Sequence, residues 1–143
     1  MFARFTRSIS QVLIKKMTFG RINSGRKGEE EAVSYLRKNG YKIIERNYRT
    51  KLGEIDIIAD CKGCVCFVEV RAKNSLSFGA PEETIIKRKQ LQISKAALLY
   101  IKKYKLQDKS CRFDVVLVEG VDRPRPEVRL IKNAFELDSK YRY

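Results

Sequence analysis

Hydrophobic residues recur along the chain with two spacings, one typical of helices and one typical of strands. Helical spacing predicts helices over about Gly25 to Asn39 and about Ile86 to Tyr104. Short runs rich in Val, Ile and Phe predict strands at Tyr41 to Arg49, 53–59, 65–70, 111–118 and, as a short edge strand, Glu127 to Lys132. This order, α-β-β-β-α-β with one further short strand, predicts an α/β fold with a mixed central sheet flanked by helices.

The second and third strands are predicted to form a hairpin. Lys62 and Gly63 lie between them, and Gly supplies the positive φ that two-residue turns require. Residues then pair so that their numbers add to 125, which places Asp56 opposite Glu69 with Cβ atoms roughly 4.5–5.5 Å apart. Like charges in that position are destabilising unless a cation lies between them. The register therefore predicts a metal site.

The same register predicts what surrounds the two acids. The other side of the hairpin is expected to be apolar, with Ile55, Ile57, Ala59, Cys66, Val68 and Val70. On the acid side, Glu54 is expected opposite Arg71, with Lys73 two residues further on. The alternative is a solvated sheet edge with ordinary salt bridges. Ile58 and Phe67 share the acid side, however, so that side is partly covered, and buried charges are normally paired or bound to metal.

Each helix has polar residues within its apolar stripe. In the first helix, Glu29 lies in the stripe formed by Ala32, Val33 and Leu36, although a Glu near a helix N-terminus also favours the helix dipole. In the second helix, Lys89 and Gln90 lie in a stripe formed by Ile86, Ile93, Ala97, Tyr100 and Tyr104. These three polar residues are candidates for a site at the sheet surface.

Charge narrows the choice of partner. The net charge of +14 over 143 residues predicts one basic domain that binds polyanions, and no apolar run is long enough to cross a membrane. Residues 1–23 form a basic extension that we expect to be flexible. It could be a nucleic-acid-binding arm, an organelle transit peptide or an over-long start preceding Met17. The domain is expected over residues 24–136, followed by a tail at 137–143.

Four cysteines and no histidine restrict the metal chemistry. Cys61, Cys64 and Cys66 crowd one hairpin while Cys111 stands alone, whereas structural zinc sites usually use two separated ligand pairs. Reduced, mostly buried thiols in a cytoplasmic protein are the favoured interpretation, with zinc binding or a redox role as the alternative.

The motifs together resemble a known family. They are Gly25-x-x-Gly28-Glu29-x-x-Ala32, Gly53-Glu54-Ile55-Asp56, Phe67-Val68-Glu69-Val70-Arg71, Lys89-Gln90, Arg112-Phe113-Asp114-Val115-Val116 and Asn133-Ala134-Phe135. Their order is similar to that of the PD-(D/E)XK nuclease superfamily and, more closely, of the YraN family of endonuclease-like proteins. The resemblance covers about residues 24–136. It implies a restriction-endonuclease-like fold and a nuclease that acts on DNA, including branched or processed intermediates.

The resemblance also implies roles for individual residues. Asp56 and Glu69 would bind Mg²⁺ or Mn²⁺, with the Val70 carbonyl as a third oxygen ligand. Glu29 would be an accessory acid supplied by the first helix. Lys89 and Gln90 would reach the site from the second helix.

One position departs from the superfamily pattern, because Arg71 stands where the catalytic Lys is expected. Arginine keeps its proton and cannot act as a general base, but it can clamp a phosphate, and Lys73 could supply an ammonium group. A catalytically silent nucleic-acid-binding module and a basic protein associated with RNA or ribosomes therefore remain as alternatives. DNA is favoured over RNA as the partner, no membrane is expected, and the chain could act as a homodimer.

Overall fold

The computed structural model describes residues 25–74 and 85–137. Along the chain these form helix α1 (25–38), strands β1 (Lys42–Arg49), β2 (Glu54–Cys61) and β3 (Cys64–Lys73), helix α2 (Lys87–Lys103), and strands β4 (Cys111–Glu119) and β5 (Glu127–Phe135). The predicted α/β order is confirmed, although β5 extends beyond Lys132. The basic extension 1–23, residues 75–84 and most of the tail lie outside the described residues.

The five strands form one mixed sheet in the order β1-β2-β3-β4-β5. Neighbouring strands are antiparallel except β3 and β4, which run parallel. Parallel neighbours require a crossover connection, and α2 lies in the segment that links these two strands. In the part of the chain that the structure describes, no helix is long and apolar enough to cross a bilayer.

Each face of the sheet has its own hydrophobic core. The α1 side contains Ala32, Val33, Leu36, Tyr41, Ile57, Ala59, Cys66, Val68, Val116, Val118 and Val121. The α2 side contains Ile55, Ile58, Val65, Phe67, Ile85, Ile93, Ala96, Ala97, Tyr100, Phe113, Val115, Leu117 and Phe135. The sheet is therefore covered on both faces by apolar side chains.

Helix α1 is held close to the sheet by its sequence at both ends. Gly40 has a φ of +85°, and the Tyr41 N–H donates to the Leu36 carbonyl at 3.0 Å, which ends the helix in the way a glycine after a helix favours. At the other end, a Cβ at Gly28 would clash with the Cβ of Ala72 in β3. The bare backbone at Gly28 thus lets the next residue, Glu29, approach the sheet.

The predicted hairpin register is confirmed. Lys62 and Gly63 have φ values of 52° and 84°, the turn geometry expected, and the β2–β3 pairs run from Cys61 opposite Cys64 to Ile57 opposite Val68. The ladder ends there. Asp56 and Glu69 are therefore the first residues beyond it, where the two strands separate.

Three details of the predicted surroundings are wrong. Ile55 packs on the α2 side of the sheet and not beside Ile57, because strand alternation breaks between them. Glu54 lies 3.8 Å from the Nε of Arg49 in β1, so its partner is not Arg71. Ile86 and Tyr104 were predicted to lie in the apolar stripe of the second helix, but they are its N-cap and C-cap residues. They are 65% and 47% exposed, because they lie just outside the helix that packs on the sheet.

Candidate active site

Asp56 and Glu69 meet in the gap where β2 and β3 separate. The Val70 N–H donates to Oδ2 of Asp56 at 2.8 Å, so the Asp56 carboxylate occupies the place of a partner strand at this point. Glu69 is only 5% exposed, and no donor among residues 25–74 and 85–137 reaches its buried Oε2 atom. A buried carboxylate oxygen without a donor is costly. The pair thus offers an oxygen that the protein itself leaves unsatisfied.

The environment strongly favours protonation of Glu69. Burial and the negative charge of Asp56 raise its pKa to about 8, while the positive charges of Lys89 and Arg71 act in the opposite direction. The Lys89 Nζ, on the first turn of α2, lies 3.6 Å from Oε1 of Glu69. Lys89 and Arg71 together therefore offset only part of the cost of keeping Glu69 charged.

Glu29 approaches the same pair from α1. Burial and the charge of Asp56 raise its pKa, whereas a hydrogen bond from Asn47 and the charge of Arg46 lower it. The Nδ2 of Asn47 donates to Oε2 of Glu29 at 3.2 Å, and the Arg46 guanidinium lies 3.9 Å from the same oxygen. The charge of Asp56 thus acts on one acid from α1 and on one from β3.

The remaining predicted site residues lie at different distances from the acids. Arg71 is an exposed residue of β3, two positions after Glu69, and its charge acts on that carboxylate. Lys73 is exposed at the end of the same strand. Gln90 instead donates from Nε2 to the Ile85 carbonyl at 3.0 Å, so in the structure its amide supports the start of α2.

The carboxylate oxygens of Asp56 and Glu69 could hold a hard divalent cation only if water or substrate supplied further ligands. Within residues 25–74 and 85–137, no group of three or more His, Cys, Asp or Glu side chains is arranged to enclose a metal. Mg²⁺ commonly uses one or two carboxylates and completes its shell with waters and substrate phosphates. Asp56 and Glu69, with the unsatisfied Oε2, provide such a partial shell of oxygen atoms.

Residues 28–118 match the family model described as Uncharacterised protein family UPF0102. The chain belongs to this family. It is the YraN family that the motifs resemble, and the matched region contains every acid of the candidate site. Similar proteins include UPF0102 proteins of Trichlorobacter lovleyi (48% identity; 77% of this chain and 87% of the relative), Persephonella marina (45%; 80% and 94%) and Desulfosudis oleivorans (49%; 78% and 89%).

This UPF0102 chain also contains a buried polar cluster that the sequence did not lead us to expect. Asp114 in β4 is fully buried and accepts hydrogen bonds from Arg112 Nε at 2.9 and 3.1 Å, from the Tyr41 hydroxyl at 3.1 Å and from the Asn133 N–H at 2.9 Å. The sequence signal for this cluster was an Asp within the otherwise apolar run 113–118. Because its donors come from three segments, Asp114 ties β4 to β5 and to the residue before β1.

Asn47 is a second residue that sequence reasoning missed. It contacts Glu29, yet it lies in the predicted interior of a strand and has a left-handed φ of 53°. Asn is depleted in strands but adopts left-handed conformations more readily than most residues. Its presence between the apolar positions of β1 was therefore a usable signal.

The cysteines lie at the far end of the hairpin from the acids. All four are free thiols, and Cys61 lies opposite Cys64 as the register predicts. The expectation of mostly buried thiols is wrong, because Cys66 is buried whereas Cys61 and Cys64 are half-buried and Cys111 is exposed. Burial raises the pKa of Cys66, which keeps this thiol protonated near neutral pH. Protonated thiols are weak nucleophiles and poor metal ligands.

Proposed function

We propose that this protein is a metal-dependent endonuclease that hydrolyses phosphodiester bonds in DNA, branched or processed intermediates included. The observation that carries the proposal is the Asp56–Glu69 pair, with a buried carboxylate oxygen that lacks a donor and with Lys89 beside it. A cation between two buried carboxylates stabilises their charged forms, and it can bind the oxygen that accepts no hydrogen bond.

Mg²⁺ or Mn²⁺ is the proposed cofactor, with Asp56 and Glu69 as its ligands. The Val70 carbonyl is the proposed third ligand. The Val70 N–H donates to Asp56, and in a strand the N–H and the C=O of one residue point to the same side. The Val70 carbonyl is therefore expected on the side of Asp56. When bound, the metal would lower the pKa of a coordinated water and offset negative charge on the phosphate in the transition state.

The surrounding side chains would orient substrate and water. Arg71 is exposed and permanently protonated, so it suits bidentate binding of the scissile phosphate. Lys89 would hold the Glu69 carboxylate in place, and Glu29 would accept a hydrogen bond from a water above Asp56. Lys73 is the proposed source of a second phosphate contact, and Gln90 would act through the start of α2.

Charge along α2 supports a nucleic acid as the partner. Residues 85–107 include seven Lys or Arg and no acid, and the helix begins beside the acid pair and ends with Lys102 and Lys103 in its last turn. Such a helix can contact phosphates on either side of the site without reading base sequence. The free thiols fit a reducing compartment such as the cytoplasm, and the proposal holds for a monomer or a homodimer.

A catalytically silent nucleic-acid-binding module is the second candidate. It is favoured by Arg71, which stands at the position where the superfamily has Lys and which cannot accept a proton. Such a module would bind nucleic acid through the same basic surface without cutting it.

A cleavage assay tests the proposal. The full chain is incubated with Mg²⁺, Mn²⁺ or EDTA on single-stranded, duplex, flap and four-way DNA, with matching RNAs. Metal-dependent cutting of DNA is expected, and Asp56→Asn and Glu69→Gln should abolish it while sparing binding. Glu119→Gln is the matched control, because Glu119 is also 5% exposed but is paired with Arg129 at 2.6 Å.

The possible results separate the two candidates. Binding without cutting by the wild type would favour the silent module. Normal cutting by both acid variants would rule out the proposed metal ligands.

A further inference from the structure

Two neighbouring strands break their alternation at the same level of the sheet. In β1, Arg46 and Asn47 are consecutive, yet both contact Glu29 on the α1 side. In β2, Ile55 packs on the α2 side although Ile57, two residues later, packs on the α1 side. Regular strands place residues i and i+2 on one face, so each strand contains a local irregularity.

The two irregularities face each other across the ladder. Arg46 is paired with Ile57 and Tyr48 with Ile55, so Asn47 lies opposite Asp56. The φ of 53° at Asn47 is the cause on the β1 side, because a left-handed residue within a strand rotates its side chain away from the regular direction. Tyr48 then returns to the α2 side, where its ring packs against Tyr100 at 5.2 Å.

The rotated side chain contacts an acid of the candidate site. Asn47 Nδ2 donates to Oε2 of Glu29 at 3.2 Å, on the side of the sheet opposite to Lys89. Asn47 lies opposite Asp56 in the β1–β2 ladder, so the Glu29 carboxylate that its amide bonds lies on the α1 side at the level of Asp56. The irregularity is thus located where an acid from α1 approaches a pair that otherwise faces α2.

We propose that Asn47 is a positioning residue of the metal site: its left-handed conformation directs its amide to Glu29 and holds that carboxylate beside Asp56. The inference rests on the proposed function, because it assigns Glu29 and Asn47 to the same metal. Glu29 would bind a metal-bound water from the α1 side, and Asn47 would fix the orientation of the Glu29 carboxylate. Non-glycine residues in strained conformations cluster at functional sites, where the surrounding structure maintains them.

A left-handed Asn does not by itself indicate such a role. Asn133 in β5 has a φ of 50° and is exposed, and it is the backbone N–H of Asn133 that donates to Asp114. The difference between the two residues lies in the side chain, which at Asn47 bonds an acid of the site. Asn133 therefore provides a matched control.

Manganese binding to the full-length chain tests the role without requiring cleavage. Isothermal titration calorimetry is used to compare wild type, Asn47→Gly, Glu29→Gln and the double variant, with Asn133→Gly as the control. Glycine retains the positive φ, so the fold should persist with a nearly unchanged thermal midpoint. Loss of an outer partner of a metal site typically weakens metal binding by about 10–100-fold, and we expect about 10-fold for Asn47→Gly.

Non-additivity separates positioning from a purely structural effect. In the Glu29→Gln background, Asn47→Gly should weaken binding by less than about twofold, because the group that it orients is already altered. Equal losses in both backgrounds, or an equal loss in Asn133→Gly, would overturn the role of Asn47. If the wild type binds no Mn²⁺, the proposed metal site itself is wrong, and the role of Asn47 in it is overturned as well.

Discussion

Glu69 and Asp114 are both buried acids in neighbouring strands of one sheet, but their surroundings differ. Asp114 accepts hydrogen bonds from Arg112, Tyr41 and the Asn133 backbone. Glu69 instead has Lys89 at 3.6 Å and an Oε2 atom that no donor reaches in the part of the chain that the structure describes. A fully bonded buried acid contributes to holding segments together. A partly bonded one costs stability and offers its free oxygen to a ligand.

The largest difference should be in activity. Glu69→Gln removes a proposed metal ligand, and losing several kcal/mol of transition-state stabilisation corresponds to a decrease in cleavage of roughly 1,000-fold. Asp114→Asn should leave the cleavage rate per folded molecule nearly unchanged, because Asp114 lies in the other cluster. Single-turnover rates, corrected for the folded fraction by circular dichroism, measure both. Similar losses in the two variants would remove the distinction between a functional and a structural acid.

The second difference is in stability, with opposite signs. Asp114→Ala leaves Arg112 without its buried partner and should lower the free energy of unfolding by about 3–5 kcal/mol. Glu69→Gln should raise it at pH 8 in the absence of metal, because it removes a carboxylate that is costly to ionise. Urea unfolding monitored by circular dichroism measures both changes. A Glu69→Gln variant less stable than the wild type at pH 8 would contradict this view of Glu69.

A third prediction concerns pH. The pKa of Glu69 is raised from 4.5 to about 8 in the folded protein, so folding binds a proton between these values. Stability from this group is fully present below about pH 4.5 and is lost as pH rises to about 8, by roughly 5 kcal/mol at about 1.4 kcal/mol per pKa unit. Metal-free unfolding experiments across this window should show the slope in the wild type and lose it in Glu69→Gln. Saturating Mg²⁺ should also flatten it, because the metal stabilises the charged carboxylate.

The smallest effect tests the importance of burial. Lys27 and Asp122 form an ion pair at 2.8 Å, shorter than the Lys89–Glu69 distance, but both side chains are about half exposed. Lys27→Ala should change the free energy of unfolding by less than about 0.5 kcal/mol, since solvent screens exposed pairs. A loss above about 2 kcal/mol would mean that distance, and not burial, distinguishes the acids of this protein.

Much of the fold follows from short-range patterns. The Lys62–Gly63 turn and the alternation on either side of it are local properties, and they gave the correct hairpin register and so the proximity of Asp56 to Glu69. The helix that ends before Gly40 and the second helix were located by the same spacing rules. These features depend on residues close together in the chain, which is why the sequence predicts them.

The wrong predictions concern residues whose positions depend on contacts between a strand and another strand or helix. Ile55 and Asn47 depart from regular alternation because the two strands adjust to each other and to Glu29 of α1, and a single strand's pattern contains no such information. The pairing of Glu54 with Arg49 likewise depends on β1 lying beside β2. Each of these is a contact between separate elements.

The sequence by itself determined the order of elements and the hairpin register from Cys61 opposite Cys64 to Ile57 opposite Val68, because those depend on local spacing and turn geometry. Only the tertiary structure decided which buried acid has all its hydrogen bonds, since the donors of Asp114 come from three separate segments. It also placed the Asn47 amide 3.2 Å from the Glu29 carboxylate, a contact between β1 and α1. Solvation and pKa depend on distant segments packing together, and that packing is absent from any single stretch of sequence.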